Sequence, residues 1–571
     1  MPPALVVARP QHTFLGLPAR LAHPLADTLG DRTVLAATLT RLAAAEHVDR
    51  LVVVHPASQP VDSLIAPVRD TLGKPIDTFA DPADLDDPIV RRWAVARSFA
   101  LTSWRGGLGQ ASCYDELLPA GPLVAAMEQL GATSALLCGA DWPLVDPALA
   151  DAVIERHLSA PTDMKLCFTQ APPGLAPVAA HIDLLRQLAT NDGAGIGPVL
   201  GYNPQHPALD PISKDVNVAV SPRVRDTYRR FVADAPRTAD HLAAIIAQLG
   251  PNWLTAPADA IADAAATVAL NAQRADPPRL PQQVTLELTP RRLPHGPITP
   301  QHHHAIDRPP LDADAALRII DQLEPDTALR LGGLGDALLH PHWHRIADHA
   351  KPRVLSVTLD TDLLADAAHD PAALDPSRPV PPLSDDTLAA LADGPIDIVT
   401  VRLNADTAAV YEELMGVDAF ANAMENLRRL HAARAATAQP HLPWIVPRLA
   451  KVTANLKDME TFFERWLQLV GSAVIEPFTD GAGLIPDLSP VPMHPPARVP
   501  CRQLGNRMTI LSDGTVAQCD QDWLGRASLG PATSTPLLET WSRVGQRCRD
   551  HHAGRAAELT LCQSCTHWHR P

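Results

Sequence analysis

Four cysteines near the end of the chain constrain it more than any other feature. Cys501 and Cys519 lie in the pattern C-x12-G-x4-C around Gly514, and Cys562 and Cys565 form a C-x2-C pair. Two sulfurs at C-x2-C spacing converge on one metal centre, so a quartet with such a pair is a metal site by default. Four thiolates complete either one [4Fe-4S] cluster or one tetrahedral zinc site, and the cysteines alone leave both open.

The composition is that of an acidic, folded protein. At about 100 to 200 residues per domain, 571 residues predict about three domains. Asp and Glu (64) outnumber Lys and Arg (48), and the net charge of -16 argues against a nonspecific nucleic-acid partner. No apolar run approaches the ~18 residues of a membrane helix, and no charged-then-apolar leader opens the chain. Eight cysteines are too few for a secreted disulfide scaffold, so we expect a cytoplasmic protein without a membrane partner.

Apolar runs typical of strands alternate with helical patterns in the first part of the chain. Residues 4–8 and 51–54 are strand-like, and Leu35, Leu39 and Leu42 between them share one helical face. This order of elements predicts an α/β domain with a mostly parallel sheet.

Composition also predicts the divisions of the chain. An Ala-rich and then Pro-rich stretch follows the first domain, and a second Pro-rich stretch precedes the cysteine-bearing tail. In the region between these stretches, residues 407–430 are predicted to form one long helix, in which Phe420, Met424, Leu427 and Leu430 are spaced for one buried stripe. The predicted divisions are a first α/β domain (1–255), a linker (256–283), a second α/β region (284–485) and a tail (486–571).

The tail resembles a known family. The run CRQLGNRMTILSDGTVAQC, followed by LGRASLG, LLETW and CQSC, is similar to the SPASM domain that trails many radical SAM enzymes. The resemblance implies that Cys501, Cys519, Cys562 and Cys565 ligate an auxiliary iron-sulfur cluster. The chain ends six residues after Cys565, where the fuller pattern has two more cysteines, so one cluster is implied. The remaining Cys548 and the histidines nearby are interpreted as ordinary surface residues rather than ligands; these histidines are His551, His552, His567 and His569.

The middle region resembles the radical SAM domain, which implies a partial (β/α) barrel. The segments VTLELTPRR, RLGGLGDALLHP and DIVTVRLN follow one another in that family's order within residues 284–480. In the family, the second segment meets the amino group of S-adenosylmethionine (SAM), which here points to Gly333, Gly335 and Asp336. Asp336-Ala337 stands where the family typically has Glu-Pro. Two interpretations stay open for this segment: a vestigial SAM-type pocket, or a tight turn after a barrel strand.

The cluster-binding loop of that family is missing. Its C-x3-C-x2-C motif would begin near Arg292, where the chain instead has Arg292, Gly296 and Thr299. Three thiolates at this spacing hold three irons and leave the fourth open to SAM. Without them we expect no reductive cleavage of SAM. His295 and the run 302–304 are interpreted as a solvated loop rather than a metal site.

The first domain resembles the GT-A-type nucleotidyltransferases through SALLCGADWPLVDP and KDVNVAVSP. The resemblance implies that Asp141, with Asp146 nearby, and Asp215, with Asn217, bind a divalent metal that bridges nucleotide phosphates. Carboxylates at the carboxyl ends of strands suit Mg²⁺. The alternative interpretation is an inert scaffold in which Asp141 only caps the helix near Pro147.

The sequence of the first domain contains no recognisable phosphate-binding loop. After the first strand the chain reads ARPQHTFLGLPAR, with a single glycine, so a cradle of backbone N–H groups is not recognisable. Arg9, Arg20 and Arg105 are the candidate phosphate contacts.

The predicted fold class is therefore α/β: a GT-A-like (Rossmann-like) domain, a radical SAM-type partial barrel and a small SPASM domain. The leading hypothesis is a cytoplasmic iron-sulfur protein that does not itself cleave SAM and whose cluster serves electron transfer or structure. The alternative is a nucleotidyltransferase or glycosyltransferase acting through the first domain with Mg²⁺. The expected substrate is a small molecule, a nucleotide-sugar or a peptide; whether the chain is an enzyme, and which substrate it takes, stay open.

Overall fold

The computed structural model describes residues 2–8, 25–81, 88–117, 120–191, 194–201, 210–369, 380–439, 441–492 and 494–570. The chain divides into two compact units, Met1–Leu270 and Asn271–Pro571. Each unit is built on a mainly parallel sheet with helices, which confirms the predicted α/β class. No helix in the described ranges is long and apolar enough to cross a membrane.

The first unit contains nine strands and ten α-helices among its described residues. The strands are β1 (Ala4–Val7), β2 (Thr28–Leu29), β3 (Arg32–Thr33), β4 (Leu51–Pro56), β5 (Ile76–Asp81), β6 (Ser134–Gly139), β7 (Leu166–Thr169), β8 (Val178–His181) and β9 (Asn217–Val218). The helices are α1 (Val34–Ala43), α2 (Asp62–Arg69), α3 (Pro88–Arg97), α4 (Ala120–Leu130), α5 (Pro147–Ser159), α6 (Ile182–Thr190), α7 (Gly197–Leu200), α8 (Pro222–Arg225), α9 (Pro236–Leu249) and α10 (Ala258–Arg274).

Seven of these strands form one sheet in the order β5-β4-β1-β6-β8-β7-β9. β1 pairs in parallel with β4 on one side and with β6 on the other, so the direction in which strands are added reverses between β1 and β6. Every residue of β1 and β4 is buried, which is typical of parallel strands covered on both faces. Strand β8 runs antiparallel between β6 and β7.

The predicted linker, 256–283, contains the whole of helix α10. Ile261, Ala262 and Ala265 are fully or almost fully buried in the core of the first unit, because the alanine-rich sequence places small apolar residues at helical spacing. The boundary between the units lies inside this helix, after Leu270.

The second unit continues the numbering. Its strands are β10 (Gln283–Leu286), β11 (Ala328–Leu331), β12 (Ser356–Thr361), β13 (Ile398–Arg402), β14 (Trp444–Lys451), β15 (Val474–Pro477), β16 (Arg507–Ile510), β17 (Thr515–Ala517) and β18 (Ser528–Pro531). Its helices are α11 (Pro300–His303), α12 (Ala313–Ile320), α13 (Trp343–Ala350), α14 (Asp385–Ala392), α15 (Ala408–Met415), α16 (Phe420–Ala435), α17 (Met459–Val470), α18 (Leu537–Ser542) and α19 (Val544–His552).

Strands β10 to β15 are parallel neighbours in chain order, and a helix lies in each connection between them. This alternation is the topology expected for a partial (β/α) barrel. Strand β16 pairs in parallel with β10, and β17 and β18 extend the same sheet antiparallel. The regions predicted as 284–485 and 486–571 therefore share one sheet, and their apolar residues, such as Val284 and Met508, share one core.

The predicted long helix at 407–430 is instead two helices, α15 and α16. Gly416 adopts φ 70° at the end of α15, a left-handed conformation that ends the helix and that glycine adopts without steric cost. Leu427 and Leu430 of α16 are buried as the spacing predicted, whereas Phe420 and Met424 pack partly buried against the same core.

Candidate metal centre

The four predicted cysteines line one cavity of about 20 Å³, larger than the roughly 10 to 15 Å³ that one water needs. Cys501 precedes β16, Cys519 follows β17, and the C-x2-C pair follows α19. In the described part of the chain, no three His, Cys, Asp or Glu side chains form a group that could hold a single metal ion.

The hairpin of β16 and β17 brings Cys501 and Cys519 to the same side. Gly514, the glycine of C-x12-G-x4-C, lies in its turn with φ +83°, and its N–H donates to the carbonyl oxygen of Leu511 at 2.8 Å. A Cβ at this position would lie 2.6 Å from Cγ2 of Thr533. The turn therefore requires glycine both for its backbone conformation and for space.

A second turn positions the C-x2-C pair. The N–H of Cys565 donates to the carbonyl oxygen of Cys562 at 3.3 Å, and the two residues between them are exposed. Since residues 563 and 564 are exposed, this turn directs Cys562 and Cys565 to the cavity from the same side, as C-x2-C metal sites require.

Two side chains donate hydrogen bonds to the sulfur of Cys562. Nε2 of Gln518 lies 3.2 Å from it, and Nε2 of His551 lies 3.3 Å from it. The other three sulfurs accept from backbone N–H groups: Cys565 from that of His567 at 3.3 Å, Cys519 from Gln521, and Cys501 from Gln503 and Leu504. Every sulfur of the quartet therefore accepts at least one N–H hydrogen bond.

Burial is the main influence on the acidity of these thiols. It raises the pKa of Cys562 to about 11 and also raises the pKa of Cys501, Cys519 and Cys565. Nearby thiols of the quartet add to the rise in pKa for Cys562, Cys519 and Cys565. Four buried thiolates thus need a positive charge among them. The all-sulfur donor set with N–H groups directed at each sulfur fits an iron-sulfur cluster, because such hydrogen bonds stabilise thiolate ligands.

The interpretation of His551 and His567 as ordinary surface residues is wrong. Both are buried and line the cavity, and burial lowers the pKa of each to about 4, so both rings are neutral at neutral pH. A sequence signal was available for the first: Val544, Cys548 and His551 follow the i, i+4, i+7 spacing of one helical face.

In the loop where a radical SAM cluster motif would lie, Arg292 forms a buried ion pair. A nitrogen of its guanidinium lies 2.6 Å from the carboxylate of Asp362, and Nε of Arg402 lies 3.2 Å from the same carboxylate. Since the Arg292 side chain is only 7 % exposed, the pair is an interior contact between the loop and the end of β12.

The rest of this loop is packed against the helical layer and against itself. A Cβ at Gly296 would collide with the carbonyl oxygen of Leu414 and the backbone of Met415. The hydroxyl of Thr299 donates to the carbonyl oxygen of Gly296 at 2.8 Å. Gly296 therefore offers no space for a cysteine side chain.

The histidines of the loop contact backbone carbonyl groups. Ring nitrogens of His302 and His303 lie 2.8 and 2.9 Å from the carbonyl oxygens of His295 and Pro297, and one of His304 lies 2.8 Å from that of Leu484. These rings therefore hold the loop in place.

The glycine segment after β11 serves close packing. Arg402 donates to the carbonyl oxygens of Gly333 and Gly335 at 3.1 and 2.8 Å. A Cβ at Gly335 would collide with the carbonyl oxygen of Thr289. Other parts of the protein fill the space around this segment and hydrogen-bond to its carbonyl groups. This is what we expect of a tight turn after a barrel strand.

Asp336 is directed into the protein. Its carboxylate accepts from the N–H groups of Leu338 and Asp362 at 3.0 and 2.8 Å and from the hydroxyl of Thr361 at 3.0 Å. Burial, and then the Asp362 carboxylate, raise the pKa of Asp336 to about 7.

In the first unit, Asp141 lies just beyond the carboxyl end of β6, where the strand order reverses. The N–H of Ala140 donates to the carbonyl oxygen of Val7 at 2.9 Å, which fixes this end of β6 against the end of β1. The helix cap is Asp146, whose carboxylate accepts from the N–H of Leu149 at 3.0 Å. Asp146 therefore has the capping role that the scaffold interpretation gave to Asp141.

The structure does not bring Asp215 to Asp141. Asp215 is exposed and precedes β9, whose Asn217 pairs with Phe168. Through β7 and β8, this register places Asp215 level with Ala135, near the start of β6. The carboxylates thus lie at opposite ends of the strands, roughly 20 Å apart along them at about 3.3 Å per residue. The expectation of one shared metal site is corrected, because an acid that precedes a strand lies at its amino end.

Of the three arginines predicted to contact phosphate, only Arg105 lies in the described part of the chain. Arg105 pairs with the Asp210 carboxylate at 3.2 Å, and Arg9 and Arg20 lie outside the described residues.

Comparison with known proteins identifies the cysteine-bearing region. Residues 501–566 match SPASM, an iron-sulfur cluster-binding domain, so the predicted SPASM domain is confirmed. An uncharacterized protein of Treponema pallidum (strain Nichols) is 32 % identical over 130 residues, 23 % of this chain and 35 % of that protein. The chain therefore spans about a third of the length of this relative.

Solved structures similar to this chain include three that cover about half of it. A cytidylyltransferase from Leptospira borgpetersenii serovar Hardjo-bovis (strain JB197) is 14 % identical over 47 % of this chain and 94 % of its own, with a TM-score of 0.29. Streptococcus suis SuiB bound to precursor peptide SuiA is 11 % identical over 55 % and 76 %, with a TM-score of 0.38. BtrN in complex with AdoMet and 2-DOIA is 12 % identical over 50 % and 93 %, with a TM-score of 0.33.

Proposed function

We propose that this protein holds one [4Fe-4S] cluster on Cys501, Cys519, Cys562 and Cys565 and does not itself cleave SAM. The observation that carries the first part is the cavity lined by all four sulfurs, each of which accepts an N–H hydrogen bond. A cluster bound there supplies one-electron transfer or a covalent cross-link between the hairpin and the C-x2-C turn.

The match of the tail supports a cluster over the zinc alternative, because residues 501–566, which contain all four cysteines, match an iron-sulfur cluster-binding domain. A structural zinc site would use the same four sulfurs, each about 2.3 Å from one ion. Cys548 does not line this cavity, so it provides a matched control.

The experiment is metal and sulfide analysis of protein purified without oxygen. We expect about four irons and four sulfides per chain with a broad absorbance near roughly 400 nm. We expect both to be lost in Cys562→Ser/Cys565→Ser and kept in Cys548→Ser. One zinc per chain and no colour would refute the proposal.

The second part of the proposal, that SAM is not cleaved, rests on the loop around Arg292. The guanidinium of Arg292 forms a buried ion pair with Asp362, and a side chain at Gly296 would collide with neighbouring backbone. The carbonyl oxygens of Gly333 and Gly335 accept hydrogen bonds from the Arg402 guanidinium rather than from a ligand. Incubation of the iron-loaded protein with SAM and a strong reductant should yield no 5'-deoxyadenosine, and its formation would overturn this part.

A second candidate function is Mg²⁺-dependent binding of a nucleotide or nucleotide-sugar by the first unit. Asp141 lies at the carboxyl edge of the sheet where the strand order reverses, the usual ligand position in open α/β sheets. Calorimetry with a Mg²⁺-nucleotide should show binding that Asp141→Ala abolishes. Asp215→Ala, at the opposite end of the strands, should leave it unchanged, and an isotherm unaltered in both variants would refute this candidate.

We place the protein in the cytoplasm, where thiols stay reduced, with a small molecule, nucleotide-sugar or peptide rather than a nucleic acid as its ligand. Fractionation of the producing cell would test the location.

A further inference from the structure

The four cysteine sulfurs differ in how they are hydrogen-bonded. Cys562 accepts from two side chains, Gln518 and His551, whereas the other three sulfurs accept from backbone N–H groups. Both donor side chains are buried, Gln518 being 2 % and His551 5 % exposed. The sulfur of Cys562 therefore has a protected environment that substitution can change without altering a ligand.

The proton of His551 is fixed by its neighbours. The backbone N–H of Cys501 donates to Nδ1 of the ring at 3.3 Å, so the lone pair of the ring lies on Nδ1. The ring hydrogen then lies on Nε2, which is directed at the sulfur of Cys562 at 3.3 Å. One imidazole thus connects the backbone of one predicted ligand residue to the sulfur of another.

Gln518 is fixed by its place in the chain. It lies between β17 and Cys519, and its side-chain amide lines the cavity and donates a hydrogen bond to the sulfur of Cys562. An amide group donates through Nε2 at any pH at which the protein is folded. The two donors therefore keep their hydrogen bonds to this sulfur without a change of charge.

We propose that His551 and Gln518 are positioning residues that raise the reduction potential of the cluster through Cys562. This inference rests on the proposed cluster. A reduced cluster has one more negative charge than an oxidised one, so N–H groups directed at a ligand sulfur stabilise the reduced form more. Removal of one donor should shift the potential to more negative values.

The test is a spectroscopic redox titration, with iron analysis, of wild type, His551→Ala and Gln518→Ala. A hydrogen bond that is about 1 kcal/mol stronger in the reduced cluster than in the oxidised one changes the ratio of the two forms about fivefold when it is lost. At 59 mV per tenfold for one electron, fivefold is about 40 mV. We expect both variants to keep the wild-type iron content and to have potentials about 40 mV more negative.

Two further variants separate this role from a general effect on the fold. His552→Ala alters the next residue of α19, whose ring contacts the Gln273 side chain at 3.0 Å, and should leave the potential unchanged. His551→Gln keeps an N–H donor of similar reach and should restore most of the wild-type potential.

The outcomes are distinguishable. Wild-type protein without iron and sulfide would refute the proposed function itself. Iron-loaded protein whose potential is the same in wild type, His551→Ala and Gln518→Ala would refute this inference alone. Loss of iron in both His551→Ala and His551→Gln would make the imidazole a ligand and would also overturn it.

Discussion

The buried ion pair of Arg292 allows a quantitative test of the barrel. Arg292→Ala removes one of two guanidinium groups from Asp362, whose side chain is 1 % exposed. Removing one partner of a buried pair costs about 3 to 5 kcal/mol, because the other charge is left in the interior. Since Arg402 still contacts Asp362 at 3.2 Å, we expect the lower end, about 3 kcal/mol.

A matched control exists in the same unit. Arg345 and Asp314 also lie 2.6 Å apart, but their side chains are 55 % and 64 % exposed. An exposed pair contributes only about 0 to 1 kcal/mol, since water solvates both charges and screens them. Arg345→Ala should therefore leave stability nearly unchanged, and the two variants differ mainly in burial.

Urea unfolding of iron-loaded protein measures both effects. With a denaturant slope of about 3 kcal/mol per molar for a unit of this size, a loss of 3 kcal/mol lowers the unfolding midpoint by about 1 M. Equal midpoints for Arg292→Ala and Arg345→Ala would refute the reasoning. That result would show that the guanidinium of Arg292 is not held in the interior.

Three further predictions concern other parts of the second unit. The triple variant Arg292→Cys/Gly296→Cys/Thr299→Cys rebuilds the C-x3-C-x2-C spacing, but a side chain at Gly296 collides with the backbone of Leu414 and Met415. Iron analysis should show no second cluster, and eight irons per chain would contradict this. Burial and the Asp362 carboxylate raise the pKa of Asp336 from 3.8 to about 7, so the folded state keeps a proton that the unfolded chain loses. The stability from this proton is fully present below about pH 4 and falls by at most about 1.4 kcal/mol per pH unit as the pH rises toward 7. Urea titrations between pH 5 and 8 should show a flatter dependence in Asp336→Asn and an unaltered one in Asp314→Asn; a wild-type slope in Asp336→Asn would contradict the shift. Gly514→Ala places a Cβ 2.6 Å from Thr533 at φ +83° and should lower both thermal stability and iron content, whereas Gly554→Ala, with φ +75° and no atom within 4 Å, should do so less. Equal losses in the two variants would show that space in the hairpin turn has no effect.

Local patterns predicted the parts of the fold that depend on neighbouring residues. The apolar runs at 4–8 and 51–54 correspond to β1 and β4, and the spacing of the four cysteines predicted one shared cavity. The break at Gly416 was missed because glycine is tolerated within helical patterns, and its left-handed conformation follows from packing.

Such local patterns could not predict contacts between segments that are far apart in the sequence. Arg292 was identified only as a residue that replaces a cysteine, whereas its role depends on Asp362, which follows on a later strand. Gln518 and His551 reach Cys562 only after the hairpin, α19 and the C-x2-C turn have packed together. Asp215 was placed with Asp141 because the pairing of β9 through β7 and β8 is a property of the folded sheet.

The most direct test of the proposed cluster is anomalous X-ray diffraction at the iron edge from crystals grown without oxygen. The account predicts an iron peak of about four atoms in the cavity, within bonding distance, about 2.3 Å, of the sulfurs of Cys501, Cys519, Cys562 and Cys565. A peak only at the zinc edge, or iron bound through Cys548 instead of one of these four, would contradict it.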